Sequence, residues 1–289
     1  MQQPTPRGRA GARLGVGASA SARWAAPIVL ALVLLVVWQL LSFTTSRTFL
    51  PGPVDVLSRL AEELGHGRIY RYAGTTFVEA LVGTLVSALI ALPLGYLVAR
   101  VRLIELAASP FLAASQAIPA IAIAPLLALW IGYGLPPIVV LCAVTAFFPM
   151  LVTTTIGIRS LDRDILEAAT LDGAGWWARL RHIELPLAFA SIVAGIRAGA
   201  ALSVTGAVVG EFTMGGKGLG MLLTLHRDAN DTEGLFATLL LLLALAVLLF
   251  GALGLLARLA PGETSTGRAT STTSFGRTST DRSFATTSI

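Results

Sequence analysis

The chain has 289 residues, of which 55% are hydrophobic and 13% charged, and its mean hydropathy is +0.77. Soluble domains are about 45–50% apolar and about 25% charged, so this composition excludes an ordinary soluble domain and indicates a protein whose solvent is largely lipid. The formal net charge of +5 alone would suit a nucleic-acid-binding protein, but for so apolar a chain we expect membrane lipid and no nucleic acid as a partner.

Six apolar stretches are long enough to be membrane-spanning helices. A lipid core about 30 Å thick requires about 20 apolar residues of helix. The sequence therefore predicts an all-α integral membrane protein with about six transmembrane helices and a transmembrane domain over residues 25–257. The fifth stretch is interrupted by Arg197. The six stretches are residues 25–43, 80–99, 109–131, 136–158, 189–212 and 234–257.

The two ends of the chain differ in composition from this apolar region. Residues 1–24 are rich in Gly, Ala, Arg and Ser, and residues 258–289 are rich in Ser and Thr. Neither segment can bury enough apolar surface to offset the entropy lost on ordering. We therefore predict two disordered cytoplasmic tails and assign them no function.

The distribution of basic residues predicts the orientation. Six spans place both termini on one side of the membrane. Of the 21 Lys and Arg residues, 14 then lie in segments on that side, 6 lie in segments on the other side, and Arg197 lies within a span. Cytoplasmic segments carry the excess of Lys and Arg. We therefore expect a multi-pass protein of the bacterial plasma membrane with both termini in the cytoplasm.

Two features of the segments between and within the spans bear on architecture. After Pro51-Gly52-Pro53, apolar residues recur at helical spacing from Val54 to Leu64, which predicts a short amphipathic helix on the outer face. Prolines also interrupt the third and fourth stretches, as at Pro119 and Pro149. Such prolines free backbone groups that either line a transport path or mark simple kinks, and both interpretations remain open.

A polar segment, residues 159–188, lies between two of the most apolar stretches and on the predicted cytoplasmic side. It divides into two helical pieces, because Asp172-Gly173 is a helix-stop signal. In the second piece, Trp176 begins an apolar stripe, Glu184 falls on the opposite face, and Pro186 is predicted to end the helix. A bent helical pair of this kind suits insertion into a groove on another protein, although packing against its own spans is equally compatible with the pattern.

The 159–188 loop resembles that of the membrane subunits of binding-protein-dependent ABC importers. The shared pattern is Glu-Ala-Ala, three residues, Gly, nine residues, Ile, one residue, and Leu-Pro. In that family the loop is a coupling helix that docks on the ATPase subunit, and the resemblance implies this role here. The matching residues are Glu167, Ala168, Ala169, Gly173, Ile183, Leu185 and Pro186.

The resemblance covers roughly residues 49–257 and implies a type I importer permease bundle. Segments such as "FFPMLVTTTIGIRSLD" and "GAVVGEFTMGGKGLG" look like the nitrate, sulfonate and taurine branch, and "ASQAIPAIAIAPLLALWIGYG" looks closer to permeases for riboflavin or a thiamine precursor. A permease subunit for a small solute, delivered by an external binding protein, is therefore expected. The likeness further implies two copies of an ABC ATPase and a homodimer of this permease.

No enzymatic activity or bound cofactor is expected of this chain. The glycine run Gly215–Gly220 lacks the G-x-x-x-x-G-K-[ST] spacing of a phosphate loop and is interpreted as a flexible outer turn, so ATP is expected to bind and be hydrolysed on the partner subunit. The three histidines lie in predicted loops, and neither H-E-x-x-H nor G-x-S-x-G occurs. An intramembrane metalloprotease or serine hydrolase is therefore not favoured.

Polar residues within the spans are candidates for the translocation path, because charges there usually face water or a bundle interior. We select Glu211 in the fifth stretch and Gln116 in the third. For Glu211 the alternative is a boundary carboxylate exposed at the outer surface. Arg197 lies close enough to the cytoplasmic boundary to extend towards it.

An ion-coupled secondary transporter is the alternative function. Such transporters commonly carry inverted repeats and acidic residues near the middle of the membrane. The sequence shows no evident internal repeat and no carboxylate at the centre of an apolar stretch. The importer hypothesis is therefore preferred, mainly because of the 159–188 loop.

Overall fold

The computed structural model describes residues 20–46, 49–115 and 119–259, and the regular elements within those ranges are all helical. Most of the two predicted tails lies outside the described residues, while residues 20–24 and 258–259 belong to the first and last helices. In chain order the helices are α1 (Ala20–Thr44), α2 (Pro53–Gly65), α3 (Arg68–Arg100), α4 (Arg102–Ser115), α5 (Ala120–Ile131), α6 (Leu135–Arg159), α7 (Arg163–Leu171), α8 (Trp176–Arg179), a π turn (Leu180–Glu184), α9 (Leu185–Met214), α10 (Leu219–Asp228) and α11 (Thr232–Leu259).

Five helices in the described part of the chain are long and apolar enough to cross a membrane: α1, α3, α6, the continuous helix Trp176–Met214, and α11. They correspond to five of the six predicted stretches. The remaining stretch, residues 109–131, is divided between α4 and α5. Pro119 explains the division, because it adopts an extended conformation (φ −71°, ψ 128°) and its ring disfavours a helical residue before it.

Helices α3, α6 and α9 form the centre of the bundle. Their backbones approach closely because small residues lie at the crossings. Gly83 of α3 faces Cys142 of α6, and a Cβ atom at Gly206 of α9 would stand 3.0 Å from the Cys142 Cα atom. In lipid no hydrophobic force drives helices together, so close contact between small residues is a main source of helix association. Cys142 is completely buried at this crossing, where its small side chain lets the helices approach closely.

Buried hydroxyl groups connect the three central helices. The Ser203 hydroxyl of α9 donates to the Ala80 carbonyl of α3 at 2.7 Å. The Thr155 hydroxyl of α6 donates to the Gly95 carbonyl at 3.2 Å. Such bonds satisfy polar groups that have no water available and fix the positions of the helices relative to one another.

Helices α1 and α2 lie at the periphery. The Trp38 indole of α1 donates to the Pro51 carbonyl at 3.1 Å, whereas most apolar side chains of α1 are exposed and available to lipid. The predicted amphipathic helix is present as α2. Its Val56 is buried against the bundle, while Val54 and Leu57 on the predicted apolar face are exposed.

The bundle has two chemically distinct ends. The first, called the loop end, contains the last turns of α3 and α6, the helices α7 and α8, and the start of α9. The second, called the opposite end, contains α2, α10 and the start of α11. This arrangement follows from chain order, because α6 and α9 are antiparallel neighbours joined by the 159–188 loop.

Candidate functional site

The first arm of the 159–188 loop is α7, and its two ends are fixed by local side-chain and backbone chemistry. Asp162 caps the start, where its carboxylate accepts the Asp164 N–H at 3.0 Å. At the other end the Gly173 N–H donates to the Thr170 carbonyl and the Ala174 N–H to the Ala169 carbonyl. Gly173 has φ +83°, so these bonds form a Schellman motif. The predicted helix stop is confirmed.

The second arm is not ended by Pro186, and that prediction was wrong. After α8 the chain makes a single π turn, in which the Leu185 N–H donates to the Leu180 carbonyl, and then continues directly as α9. The missing N–H of Pro186 falls where the π pattern changes to the α pattern, so the proline is accommodated within the helix. The second arm is therefore continuous with a membrane span.

The seven residues predicted to couple the permease to an ATPase divide into an inward and an outward set. Ala169 is buried and Ile183 half-buried, so these two form the inward set. The remaining five are exposed on the loop or on the first turn of α9: Glu167, Ala168, Gly173, Leu185 and Pro186.

Large apolar side chains at the tip of the loop are exposed. Leu171, at the end of α7, is 88% exposed, and Trp176 and Trp177, at the start of α8, are 59% and 61% exposed. The two indole rings lie 5.7 Å apart. Tryptophan-rich apolar surface held on a fixed helical pair has the composition of a protein-binding site. We call Leu171, Trp176 and Trp177 the loop tip.

Glu184 is a functional candidate that the sequence reasoning missed. The helical periodicity placed it on the face away from the apolar stripe, yet its side chain is completely buried. It accepts hydrogen bonds from the Arg179 Nε atom at 2.8 Å and from the Arg100 Nε atom at 3.2 Å. Its only sequence signal is a carboxylate close to two arginines in the loop and one at the end of α3.

At the opposite end, Glu211 is completely buried rather than exposed at a boundary. Its Oε1 atom accepts the Thr76 hydroxyl at 2.7 Å, and its Oε2 atom accepts the Gly220 N–H. The Glu79 carboxyl lies beside it and is also buried. Glu211 therefore connects α9, α3 and the start of α10. Gln116, the other path candidate, lies outside the described residues.

The glycine run predicted to be a flexible turn is instead packed closely around Glu211. A Cβ atom at Gly218 would overlap the Glu211 carboxylate and the Thr76 hydroxyl, and one at Gly220 would stand 2.8 Å from the Glu211 Cβ atom. Gly215 has φ +72°, which few other residues tolerate. The glycines are needed because the backbone approaches a buried carboxyl group.

Arg197 is held by a neighbouring span. Its guanidinium carbon lies 3.9 Å from the centre of the Phe250 ring of α11, a cation–π contact that partly replaces the solvation lost in the bundle. A Cβ atom at Gly254 would stand 2.9 Å from the same guanidinium. Arg197 thus connects α9 to α11.

A third charged cluster, at the opposite end, joins α2 to α10 and α11. The Asp231 Oδ2 atom lies 2.9 Å from Arg59 Nη2 and 3.0 Å from His226 Nδ1, and Asp231 Oδ1 accepts the Gly234 N–H at 2.9 Å. Burial alone raises the pKa of Asp231, but the Gly234 bond and the Arg59 charge outweigh it and hold this pKa below its ordinary value. Among the described residues, no group of three His, Cys, Asp or Glu side chains is placed to hold a metal ion.

Comparison with known proteins gives a consistent picture. The profile of a family described as "Binding-protein-dependent transport system inner membrane component" matches residues 91–262. A riboflavin transport system permease protein, RibX of Chloroflexus aurantiacus, is 41% identical over 81% of this chain and 87% of its own length. The putative aliphatic sulfonates permease SsuC of Bacillus subtilis is 28% identical over 75% and 80%. The formylaminopyrimidine permease ThiX of Halalkalibacterium halodurans is 29% identical over 78% and 91%.

Solved structures support the fold. Two crystal forms of the MetNI methionine ABC transporter in inward-facing conformations contain a chain that superposes on this one with TM-scores of 0.59 and 0.61. The sequences are 20% and 21% identical, and the match covers 66% and 68% of this chain and 95% and 98% of the other. The all-α bundle is therefore that of a type I importer permease.

Proposed function

The chain belongs to the binding-protein-dependent transport system inner membrane components, and we propose that its 159–188 loop is the element that docks on the importer's ATPase. As a permease subunit of an ATP-driven ABC importer, it is a multi-pass inner membrane protein that works with an ATPase and a binding protein. ATP hydrolysis is the task of the separate ATPase subunit. None of the comparisons favours an ion-coupled transporter.

The loop tip is the observation that supports this role best. Leu171, Trp176 and Trp177 are exposed, as is Glu167, and they lie on helices whose ends are fixed by a cap, a Schellman motif and continuity with α9. Exposed aromatic and aliphatic residues on rigid elements are typical binding hot spots. A groove in the ATPase would bury this surface, with Glu167, Ala168 and Gly173 at the contact.

The proposed assembly contains two copies of this permease and two ATPase subunits. A path through the membrane needs walls on all sides, and a second copy of the chain supplies those that one copy lacks. With α4 and α5 together making one crossing, the chain crosses six times, and both termini lie in the cytoplasm with the loop. The chain binds no cofactor of its own, because ATP is held by the partner.

The proposed substrate is a vitamin-type solute such as riboflavin or a pyrimidine precursor of thiamine. The support is the name of the 41%-identical relative, RibX, and that of ThiX; nitrate, sulfonates or taurine form the second class, supported by SsuC. Uptake of labelled riboflavin, formylaminopyrimidine and an alkanesulfonate into vesicles that hold the whole importer tests this assignment. Import of the alkanesulfonate but of neither vitamin-type solute would make the sulfonate class the preferred substrate.

Glu211 and Gln116 are proposed to contribute to the translocation path. Glu211 lies at the opposite end, where a solute delivered from outside would enter, and its carboxyl group contacts the start of α10. Import by Glu211→Gln, compared with the exposed Glu62→Gln on α2, tests this role. Unchanged import by Glu211→Gln at equal protein level would remove Glu211 from the path.

Capture of the ATPase by the solubilised permease tests the docking role. We expect Glu167→Lys and Gly173→Asp to insert normally but to retain at least about tenfold less ATPase, because each places a charge or a side chain at a tightly packed contact. Asp228→Lys, an exposed charge reversal at the opposite end, is the matched control. Undiminished capture by both loop variants, or no capture by the wild-type chain, would refute the proposal.

A further inference from the structure

Glu184 lies at the junction of three elements at the loop end. Its carboxylate is shared between Arg179 of α8 and Arg100 at the end of α3. The Arg100 Nη2 atom also lies 2.9 Å from Glu184 Oε1, without hydrogen-bond geometry, so that this second contact is electrostatic. Arg179 in turn reaches the Thr170 hydroxyl of α7 at 3.5 Å. One buried carboxylate therefore connects α7, α8 and α3.

The π turn is what makes this junction possible. Arg179 and Glu184 are five residues apart, and in a regular α-helix such residues point about 140° away from each other. A turn closed by a bond from residue i+5 to residue i places them on the same side, and the Leu185-to-Leu180 bond closes this turn in that way. The irregular turn is thus what allows Arg179 and Glu184 to form an ion pair.

The contacts of the 159–188 loop determine which membrane helices would move when the loop is displaced. Because α8 is continuous with α9, a displacement of the loop also displaces α9, one of the central spans. The described contacts that join the loop to the end of α3 include the Arg100–Glu184 pair, beside which the Tyr96 side chain also interacts with Glu184. Because the carboxylate is buried and charge-paired, breaking the pair is costly, and the ends of α3 and α9 are held to move together.

We infer that Glu184 is a positioning residue that transmits movement of the 159–188 loop to α3 as well as to α9. The inference rests on the proposed function, since the movement is supplied by the docked ATPase. Glu184 does not itself touch the ATPase, because it is completely buried. Its loss should therefore separate docking from transport.

Two variants separate these roles. Glu184→Gln keeps the shape of the side chain and removes its charge, and Arg100→Gln cuts the link to α3 while leaving the Arg179–Glu184 pair within the loop. Glu105→Gln is the matched control, because Glu105 also pairs with two arginines at the loop end, but these lie on α4 (Arg102) and on the last residue of α6 (Arg159), not on α7, α8 or the π turn.

Three quantities are measured on the reconstituted importer: ATPase capture, ATP hydrolysis with and without loaded binding protein, and solute import. We expect importers with either variant to capture ATPase and to hydrolyse ATP at the basal rate. Solute import, and the stimulation of ATP hydrolysis by the loaded binding protein, should each fall by about tenfold, within the range of allosteric couplings. Glu105→Gln should match the wild type, and Arg100→Lys, which restores the charge, should recover part of the import.

Two results would overturn the inference. The first is wild-type import by Glu184→Gln and Arg100→Gln, and the second is loss of ATPase capture in proportion to import, which would make Glu184 a structural residue of the docking surface. If Glu184→Gln fails to insert, Arg100→Gln decides alone. A wild-type chain that captures no ATPase would instead refute the proposed function, so the two failures are distinguishable.

Discussion

Single glycines set the spacing of the central helices. At Gly206 of α9 a methyl group would stand 2.6 Å from the Thr145 hydroxyl and 3.0 Å from the Cys142 Cα atom, and the second of these is backbone that cannot rotate away. The cost of a side chain there is a displacement of α9 from α6, the pair that forms the largest helix contact of the bundle.

Gly206→Ala is therefore expected to destabilise the bundle by about 1–3 kcal/mol, the usual cost of overpacking. Gly74→Ala in α3 is the matched control, because no atom outside its own helix lies within 4 Å of the added methyl group. There we expect no loss, since alanine favours a helix by about 1 kcal/mol over glycine. Thermal unfolding in detergent measures both, and equal unfolding temperatures for the two variants would contradict the packing argument.

Within a single helix, exposure distinguishes residues that are expected to contact a partner from residues that are expected to stabilise the fold. In α7, Leu166 is buried, whereas Leu171, five residues later, is 88% exposed. The same substitution at the two positions should therefore have different effects: burial predicts a stability loss, and exposure at the loop tip predicts a loss of partner binding.

We expect Leu171→Ala to change the free energy of unfolding by less than about 0.5 kcal/mol and to weaken ATPase binding by about 1 kcal/mol or more. Leu166→Ala should lower stability by about 2 kcal/mol or more, since it removes buried methyl groups. Thermal unfolding and ATPase titration of the same preparations give both numbers. A Leu171→Ala variant with reduced stability and full ATPase affinity would assign Leu171 to the fold.

At the opposite end, α2 is connected to the bundle through the Asp231 cluster, and this connection is pH-dependent. The pKa of Asp231 is lowered in the folded state, so its contribution to stability is fully present above its unfolded value, about 3.9. It is lost as the pH falls through the lower folded value. The positive partner, Arg59, stays protonated throughout, because Asp231 raises the pKa of its guanidinium despite burial.

Asp231→Asn is thus expected to destabilise the protein at pH 6 by about 1 kcal/mol, near the upper limit for partly exposed ion pairs. Once the pH lies below the lowered folded-state pKa of Asp231, the variant and the wild type should unfold at similar temperatures, because the wild-type carboxyl is then protonated as well. Asp228→Asn, an exposed carboxylate paired with the adjacent Arg227, serves as control. A difference for Asp231→Asn that persists unchanged in acid would point to hydrogen bonding rather than charge.

Helical periodicity was enough to predict the long apolar helices and the stop at Gly173, because these depend on composition and on local backbone preference. It failed where the helical period itself changes. The π turn at Leu180–Glu184 moves Glu184 from a predicted outer face to a buried junction, and no residue type encodes that turn. The close packing of Gly218 around Glu211 was also not predictable, since its partners Thr76 and Glu211 come from distant parts of the chain.

For the whole molecule, the arrangement of charge supports the division into two functional ends. Buried or half-buried ion pairs connect helices at each end, through Glu184 at the loop end and Asp231 at the opposite end. Between them the central crossings consist of small residues, with hydroxyl groups rather than ion pairs joining the helices. Such a bundle is rigid at its ends, so that a movement imposed at the loop can be carried along whole helices rather than absorbed locally.

The two ends should lie on opposite sides of the membrane, with the loop in the cytoplasm. The chain's single cysteine, Cys142, is completely buried, so a cysteine introduced at an exposed position gives a specific thiol signal. In cells that express the permease without its ATPase, we expect Glu62→Cys on α2 to react with a membrane-impermeant thiol reagent in intact spheroplasts, and Leu171→Cys to react only after the membrane is permeabilised. The wild-type chain is the background control. Labelling of Leu171→Cys from outside, with Glu62→Cys protected, would reverse the orientation and place the loop tip beyond the reach of any cytoplasmic ATPase.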